Sequence, residues 1–152
     1  MITIRPSRST DLPAMFTIWL EAVRATHSFL TEADLAFYAE QVRDQYLPSQ
    51  SFWIAAGYDD EAEGFMGMTG NKIDALFVHP FQHGKGIGRA LIAHAAALAG
   101  ELAVDVNEQN EGACAFYRKL GFRQVGRSEL DGSGKPFPIL HLVRSNDPSA
   151  TA

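Results

Sequence analysis

The sequence predicts an α+β protein: a single domain over residues 1–144, with a mixed central sheet and about four helices, and a frayed tail over 145–152. The length of 152 residues suits one domain, since domains usually have roughly 100–200 residues. Apolar residues make up 46% and charged residues 20%, which excludes a disordered or fibrous chain. The middle of the chain alternates strand, helix, strand, helix and strand, and this order implies a right-handed crossover between locally parallel strands.

The first half reads as a strand, two helices and two further strands. Residues 2–5 form a short edge strand that ends at Pro6. Ser9-Thr10-Asp11 is a helix start signal, and the apolar face that follows it consists of Leu12, Met15, Phe16, Trp19, Leu20 and Val23. Thr31 opens a second helix that we expect Pro48 to end, with Leu35, Tyr38, Val42 and Tyr46 facing inward. Strands are predicted over 52–58 and 65–69, and the acidic stretch 59–64 is predicted to be a solvated hairpin loop.

The second half reads as a regular alternation of strands and helices. A strand over 72–79 is closed by Pro80, and the helix over 86–99 ends at Gly100. That helix should bury the side that carries Ile87, Leu91, Ala95 and Leu98. A strand over 102–107, a helix over 110–120 and strands over 122–127 and 137–143 complete the prediction.

Charge and cysteine content exclude several classes of protein. The net charge of −5 argues against a nucleic-acid binder, which is usually basic. Cys114 is the single cysteine, so no intramolecular disulfide forms, and no pair of histidines has metal-ligand spacing. The N-terminus lacks the apolar segment of a signal peptide, and no apolar run approaches the roughly 18 residues of a membrane span. We therefore expect a soluble cytoplasmic protein without a metal.

A glycine-rich turn between a strand and a helix predicts an anion site. The segment reads His83-Gly84-Lys85-Gly86-Ile87-Gly88-Arg89, and no acidic residue lies between Gln82 and Gly100. Glycines let a ligand approach the backbone, and the first amides of a helix bind phosphate. No Ser or Thr follows Lys85 as in a Walker loop, and Arg89 stands where the third glycine of a dinucleotide-binding motif would lie. The pattern indicates another phosphate-bearing ligand.

Two motifs resemble the GNAT N-acetyltransferases. Phe77-Val78-His79-Pro80 followed by Gly84-Lys85-Gly86-Ile87-Gly88-Arg89-Ala90-Leu91 is similar to the acyl-CoA signature of that family. Asn110-Glu111-Gly112-Ala113 and Phe116-Tyr117-Arg118-Lys119-Leu120-Gly121-Phe122 are similar to its second motif. The resemblance is firmest over residues 65–127. Four shorter strings are similar to the bacterial YjaB-like branch: Ala25-Thr26-His27, Asp74-Ala75-Leu76-Phe77, Asn107-Glu108-Gln109-Asn110 and Gly134-Lys135-Pro136.

The resemblance implies an acetyl-CoA site between splayed strands at 72–79 and 102–107. The backbone around Phe77 and Val78 would pair with pantetheine, and Asn110 would bind the cofactor arm. The full set of implied cofactor-binding residues is Leu76, Phe77, Val78, His83, Gly84, Lys85, Gly86, Ile87, Gly88, Arg89, Asn107, Asn110 and Tyr117. His83 stands where the family usually has Gln or Arg, so cofactor affinity should depend on pH.

The family's general acid corresponds to Tyr117, which would protonate the leaving thiolate as a primary amine attacks directly in a ternary complex. Its helical spacing alone indicates a core residue. The identity of the general base stays open. Asp74 lies on the first strand beside the gap, Glu108 follows the second and would hold a water, and His27 ends the first helix, where it would orient the acceptor or cap the helix. Asp105 shares a strand face with Asn107, and either aspartate is equally well read as structural.

The acceptor is a small-molecule or peptide amine whose identity the sequence leaves open, as it does the choice between monomer and homodimer. No nucleic acid or membrane partner is expected. A different class of function is a non-catalytic acyl-CoA-binding sensor or interaction module. In such a module the glycine turn would still bind acyl-CoA, while Tyr117 and Asp74 would be dispensable. A nucleotide-dependent enzyme is disfavoured by the missing phosphate-binding motifs.

Overall fold

A computed structural model describes residues 2–145; apart from Ser145, the predicted tail lies outside the described residues. The strands are β1 (Thr3–Pro6), β2 (Trp53–Ala56), β3 (Ala62–Thr69), β4 (Lys72–Val78), β5 (Leu102–Asn107), β6 (Arg123–Ser128) and β7 (Ile139–Arg144). The helices are α1 (Leu12–Thr26), α2 (Glu32–Gln41), α3 (Leu47–Ser49), α4 (Ile87–Ala99) and α5 (Glu111–Lys119). A π-helical stretch, Val42–Tyr46, joins α2 to α3 without a break, so the sheet is accompanied by four helices. The strand order is β1-β2-β3-β4-β5-β7-β6.

The chain comprises two compact units, and β3, β4 and α4 each contribute to both. The first unit contains the residues up to Gly67 together with Ala75–Ile92. Strand β2 pairs antiparallel with β1 on one side and with β3 on the other. The core of this unit is apolar and draws on α1, α2 and these strands; the largest fully buried side chains there are Phe65, Met15, Ile54 and Met66.

The second unit contains Met68–Asp74 and the residues from Ala93 onward. The start of β4 pairs parallel with β5 through Lys72 with Ala103 and Ile73 with Val104. Strand β7 lies antiparallel between β5 and β6. The sequence predicted the parallel pair, but the insertion of β7 between β5 and β6 was not predicted.

One face of this part of the sheet is buried and the other is accessible, because buried and accessible residues alternate along β5 and β7. We call the accessible side the open face. It carries Lys72 and Asp74 of β4, Asp105 and Asn107 of β5, Ser128 of β6 and His141 of β7. Charged and polar side chains on this face remain within reach of solvent and ligands.

Four predicted details are corrected by the structure. Leu98 is 56% exposed instead of buried, because it lies in the last turn of α4, near the end of the helix. Pro48 does not end the second helix: the helical path over residues 32–49 continues one residue beyond it, and the π-helical stretch Val42–Tyr46 lies just before the proline, where the usual hydrogen-bond pattern is already changed. Strand β3 begins at Ala62, so only part of 59–64 is loop. Within that loop Asp60 is ion-paired with Arg5 and Arg8 rather than simply solvated.

No helix among residues 2–145 is both long and apolar enough to cross a membrane. The same residues contain no group of three or more His, Cys, Asp or Glu side chains placed to hold a metal ion.

Candidate functional site

The glycine turn connects β4 to α4 in the first unit. Gly84 and Gly86 both have φ of 81°, and a Cβ at either position would meet open space. Glycine is therefore required there by the left-handed backbone and not by crowding. The first helical hydrogen bond runs from the Ala90 amide to the Gly86 carbonyl, so the preceding amides have no partner within the helix. They form an exposed, positively polarised turn beside Lys85 and Arg89.

The end of β4 is held close to this turn. A Cβ on Gly64 of β3 would lie 2.9 Å from the Ile87 Cγ2 atom and 3.0 Å from the Phe77 carbonyl oxygen. Only glycine allows that approach. Strand β3 thus fixes the carbonyl side of Phe77 and the first residue of α4 in one arrangement.

The side chain of His83 contacts the end of strand β4. Its Nε2 is 3.0 Å from the Val78 carbonyl oxygen, and since a carbonyl only accepts, Nε2 must donate the proton. In the neutral ring Nδ1 then carries a lone pair. Only the protonated ring offers an anion a second N–H.

In the second unit, the junction of β5 and α5 brings together the other predicted cofactor residues. The Asn110 amide donates to the Asn107 carbonyl at 3.0 Å. The Asn110 Oδ1 atom accepts from the Ala113 amide at 3.0 Å and caps α5. The cap uses the side-chain oxygen, so a contact to a cofactor arm would be made by the amide NH₂.

Tyr117 is 6% exposed, on the inner face of α5. Its ring packs edge-on against Phe116 and Phe122, with centroids 5.2 Å apart in both pairs. Burial raises the pKa of the phenol above its usual range, because the charged phenolate is poorly solvated there. The phenol is thus protonated at neutral pH and can act as a proton donor.

Two of the three base candidates have charged or buried surroundings that weaken them. Glu108 receives two hydrogen bonds from Arg127, at 2.6 and 3.1 Å, and these hydrogen bonds lower the pKa of its carboxyl. Burial lowers the pKa of His27 to about 4. A group with so low a pKa takes a proton from an ammonium ion inefficiently. Because the ring is neutral at pH 7, it also cannot act as a charged cap for α1.

The third candidate, Asp74, lies on the open face. It accepts a 2.6 Å hydrogen bond from the Thr69 hydroxyl across the β3–β4 turn. The neutral donor leaves the carboxylate charge uncompensated at that contact. The sequence did not indicate the partners Thr69 and Arg127, because side-chain pairing between strands depends on register.

Cys114 is buried, and desolvation raises the pKa of its thiol. It faces a pocket of about 400 Å³. The other lining residues are Glu108, Glu111, Arg118, Gln124 and Leu140. A protonated thiol is a poor nucleophile.

The structure thus collects the predicted residues in two sets. The first unit holds the β4 end, His27 and the turn, with Leu76, Phe77, Val78, His83, Gly84, Lys85, Gly86, Ile87, Gly88 and Arg89. The second unit holds Asp74, Asn107, Glu108, Asn110 and Tyr117. In the first set the groups that could meet an anion are the backbone amides of the turn, with Lys85 and Arg89 beside them. The second set supplies amide and phenol groups.

Comparison with known proteins agrees with these motifs. The model of the acetyltransferase (GNAT) family matches residues 12–122. The chain is 47% identical over 143 residues to a peptidyl-lysine N-acetyltransferase YjaB of Salmonella typhimurium, covering 94% of this chain and 98% of the relative. It is 44% identical over 143 residues to the Escherichia coli protein of the same name, covering 94% and 97%.

A solved structure shares the fold over almost its full length. The solution structure of apo-form YjaB from Escherichia coli superposes with a TM-score of 0.92 at 42% identity, covering 97% of this chain and 99% of that chain. The chain therefore belongs to the GNAT family and is an N-acetyltransferase with the GNAT fold, as the motifs predicted.

Proposed function

We propose that this enzyme transfers the acetyl group of acetyl-CoA to the side-chain amine of a lysine in a peptide or protein. The amine attacks directly, in a ternary complex and without an acyl-enzyme. The relatives named above are bacterial, and a single buried free cysteine suits the reducing cytoplasm, so we propose that the protein acts there. The GNAT domain would extend over 1–144.

The observation that carries the cofactor assignment is the exposed glycine turn at the start of α4. It combines left-handed glycines, unpaired helical amides and an absence of acidic residues from Gln82 to Gly100. These features suit the pyrophosphate of coenzyme A. The residues present fit the rest of the cofactor as well, since the Phe77 and Val78 backbone offers strand-like pairing and Asn110 offers an amide NH₂.

Acetyl-CoA, when bound, supplies an acetyl group activated as a thioester. Tyr117 would donate its phenolic proton to the leaving sulfur, since it is held protonated by burial. A cysteine-like thiol has a pKa near 8.5, well below that of a phenol at about 10. The transfer is therefore uphill in water, and it depends on the desolvated site that also holds the phenol neutral.

Lysine is favoured as the acceptor by the charge of the open face. Asp74 is accessible there, its hydrogen bond comes from the neutral Thr69 hydroxyl, and its carboxylate suits a cationic side chain. The identity with two peptidyl-lysine N-acetyltransferases, 44–47% over nearly the whole chain, supports the same acceptor class.

The test is an acetylation assay with acetyl-CoA and a lysine-containing peptide whose N-terminus is blocked. We expect thiol release and a mass increase of one acetyl group on the lysine. The same peptide with arginine in place of lysine is the control. Binding of acetyl-CoA without product on any lysine peptide would overturn the acceptor assignment, and selective binding of ATP or NAD would overturn the cofactor assignment.

A further inference from the structure

A hydrogen-bonded chain of four side chains crosses the open face of the second unit. The Ser128 Oγ atom lies 2.7 Å from the His141 Nε2 atom, and the His141 Nδ1 atom lies 2.7 Å from the Asp105 Oδ1 atom. The Lys72 Nζ atom is 2.8 Å from the other Asp105 oxygen. The four residues come from β6, β7, β5 and β4, and none of the sequence motifs contains them together.

The register of the strands produces this alignment. His141 stands directly opposite Asp105 on one side and Gly126 on the other. The imidazole lies directly against Gly126, since a Cβ there would be 3.4 Å from the His141 Cδ2 atom, an ordinary contact distance. A bulge between Gln124 and Gly126 then sets Ser128 within reach of the ring.

The partners fix the direction of the hydrogen bonds. Burial opposes ionisation of Asp105, but hydrogen bonds from Lys72 and His141 outweigh it and lower the pKa of the carboxyl. An ionised carboxylate only accepts, so Nδ1 of His141 donates, and in the neutral ring Nε2 then carries the lone pair. Nε2 therefore accepts the Ser128 hydroxyl proton. The same arrangement orients the bases of catalytic triads.

We propose that Ser128, His141 and Asp105 form the proton-accepting chain for the acceptor amine; this inference rests on the proposed function. An ammonium N–H donates to the Ser128 oxygen. As its proton moves to that oxygen, the serine's own proton moves to Nε2 of His141. The products are a neutral amine, an intact serine and an imidazolium, which returns its proton to water. After the attack, the nitrogen loses a second proton, which replaces the one that Tyr117 gives to the sulfur. Overall, ammonium and thioester give amide, thiol and one released proton, so the protons balance.

Accessibility and charge are consistent with this role. The side chains of His141 and Asp105 are 37% and 35% exposed, so the chain can be reached from solvent. The charged groups facing His141 are Asp105 on β5 and, beyond it, Lys72 and Asp74 on β4; β6 presents Gly126 and the uncharged Ser128. Asp105 stabilises an imidazolium, and Lys72 opposes it. Unlike Glu108, His141 is not held by an arginine.

The experiment measures kcat/KM for a lysine peptide from pH 5.5 to 9 in the full-length enzyme. His141→Gln and Ser128→Ala should each lower kcat/KM at neutral pH by about 100-fold, the lower range for a general base. Asp105→Asn should move the acid limb of the profile about one pH unit lower. Lys72→Met should move it higher. Ser133→Ala, in the exposed 131–136 turn, is the matched control and should leave the profile unchanged.

A purely structural role would not give opposite shifts for Asp105→Asn and Lys72→Met. Imidazole added to His141→Ala should restore part of the activity, and this does not depend on the fold tolerating Gln. A wild-type enzyme that is active on the peptide, with an acid limb that neither variant moves, overturns this inference alone. A wild-type enzyme that binds acetyl-CoA but acetylates no lysine peptide overturns it together with the proposed acceptor.

Discussion

The imidazole of His83 donates through Nε2 to the carbonyl oxygen of Val78 at 3.0 Å. A residue of the proposed phosphate turn is thereby tied to the strand proposed to pair with pantetheine. The contact also determines how the ring can meet an anion. In the neutral ring Nδ1 presents a lone pair, which a phosphate oxygen repels, whereas the imidazolium presents an N–H there.

His83→Ala should weaken acetyl-CoA binding, because it removes the hydrogen bond that ties the turn to the Val78 carbonyl. A hydrogen bond of this kind is worth about 0.5–1.5 kcal/mol, so we expect the Kd to rise by up to about tenfold. Calorimetric titration measures it, and His83→Gln, whose side-chain amide can still donate to a carbonyl, is the control. An unchanged Kd in His83→Ala would show that this contact does not position the turn.

Gly86→Glu should abolish acetyl-CoA binding. The left-handed backbone at φ 81° costs a non-glycine residue about 1–2 kcal/mol, and the carboxylate adds repulsion of the pyrophosphate. Gly132→Glu is the matched control, because a Cβ at Gly132 also meets open space and that glycine has no left-handed φ. Titration calorimetry with both variants would show a misplaced cofactor turn if Gly86→Glu bound normally.

Tyr117→Phe should lower kcat for thiol release by about 100-fold, within the usual contribution of a general acid. The phenylalanine ring keeps the edge contacts to Phe116 and Phe122, so the fold and the Kd for acetyl-CoA should change little. Tyr58→Phe, at a side chain 97% exposed, provides the control. Full turnover in Tyr117→Phe would make Tyr117 a packing residue only.

The Arg5–Asp11 ion pair should make the first unit sensitive to acid. Both side chains are 11% exposed, with atoms 2.9 Å apart, and the hydrogen bond from Arg5 lowers the pKa of Asp11. A carboxyl whose pKa is depressed on folding stabilises the protein above its unfolded pKa of about 3.9, and that stability is lost as the pH falls toward the folded value.

Urea unfolding of Asp11→Asn at pH 7 should show a loss of about 1.5–3 kcal/mol, the usual range for hydrogen bonds to charged groups. The difference from wild type should shrink as the pH falls below about 4. Asp44→Asn, whose ion pair with Arg43 is about half exposed, should lose less than about 1 kcal/mol. Equal losses in both variants would contradict the special role of the Arg5–Asp11 pair.

The strands and helices were predictable wherever a local signal marked them. The predicted strand over 102–107 matches β5, and the predicted helix over 110–120 exceeds α5 by one residue at each end. The predicted boundaries and buried positions were wrong where the structural environment outweighed local propensity. Pro48 was predicted to end the second helix, but the helical path runs one residue further, to Ser49, after a π-helical stretch that no local signal indicates. Leu98 was placed in the core by a periodicity that ignores where the helix ends.

For the candidate site, too, the sequence could indicate only those residues that belong to short local motifs. The glycine turn, Asn110 and Tyr117 belong to contiguous motifs. The sequence alone therefore predicted the family, the acetyltransferase activity and the expected cofactor. The base could not be chosen in this way. The hydrogen bonds from Arg127 to both Glu108 oxygens, and the burial that lowers the pKa of His27, are features of the tertiary structure that no motif indicates.

The sequence by itself determined the features that act within a few residues of one another: the left-handed glycines of the turn, the Asn110 cap and the periodicity that buries one side of each helix. Tertiary structure alone decided which distant residues meet. Ser128, His141, Asp105 and Lys72 are separated by up to 69 positions. They align because β7 lies between β5 and β6 and because strand register fixes which side chains stand opposite each other. Register follows from the packing of the whole sheet, and no short motif encodes it.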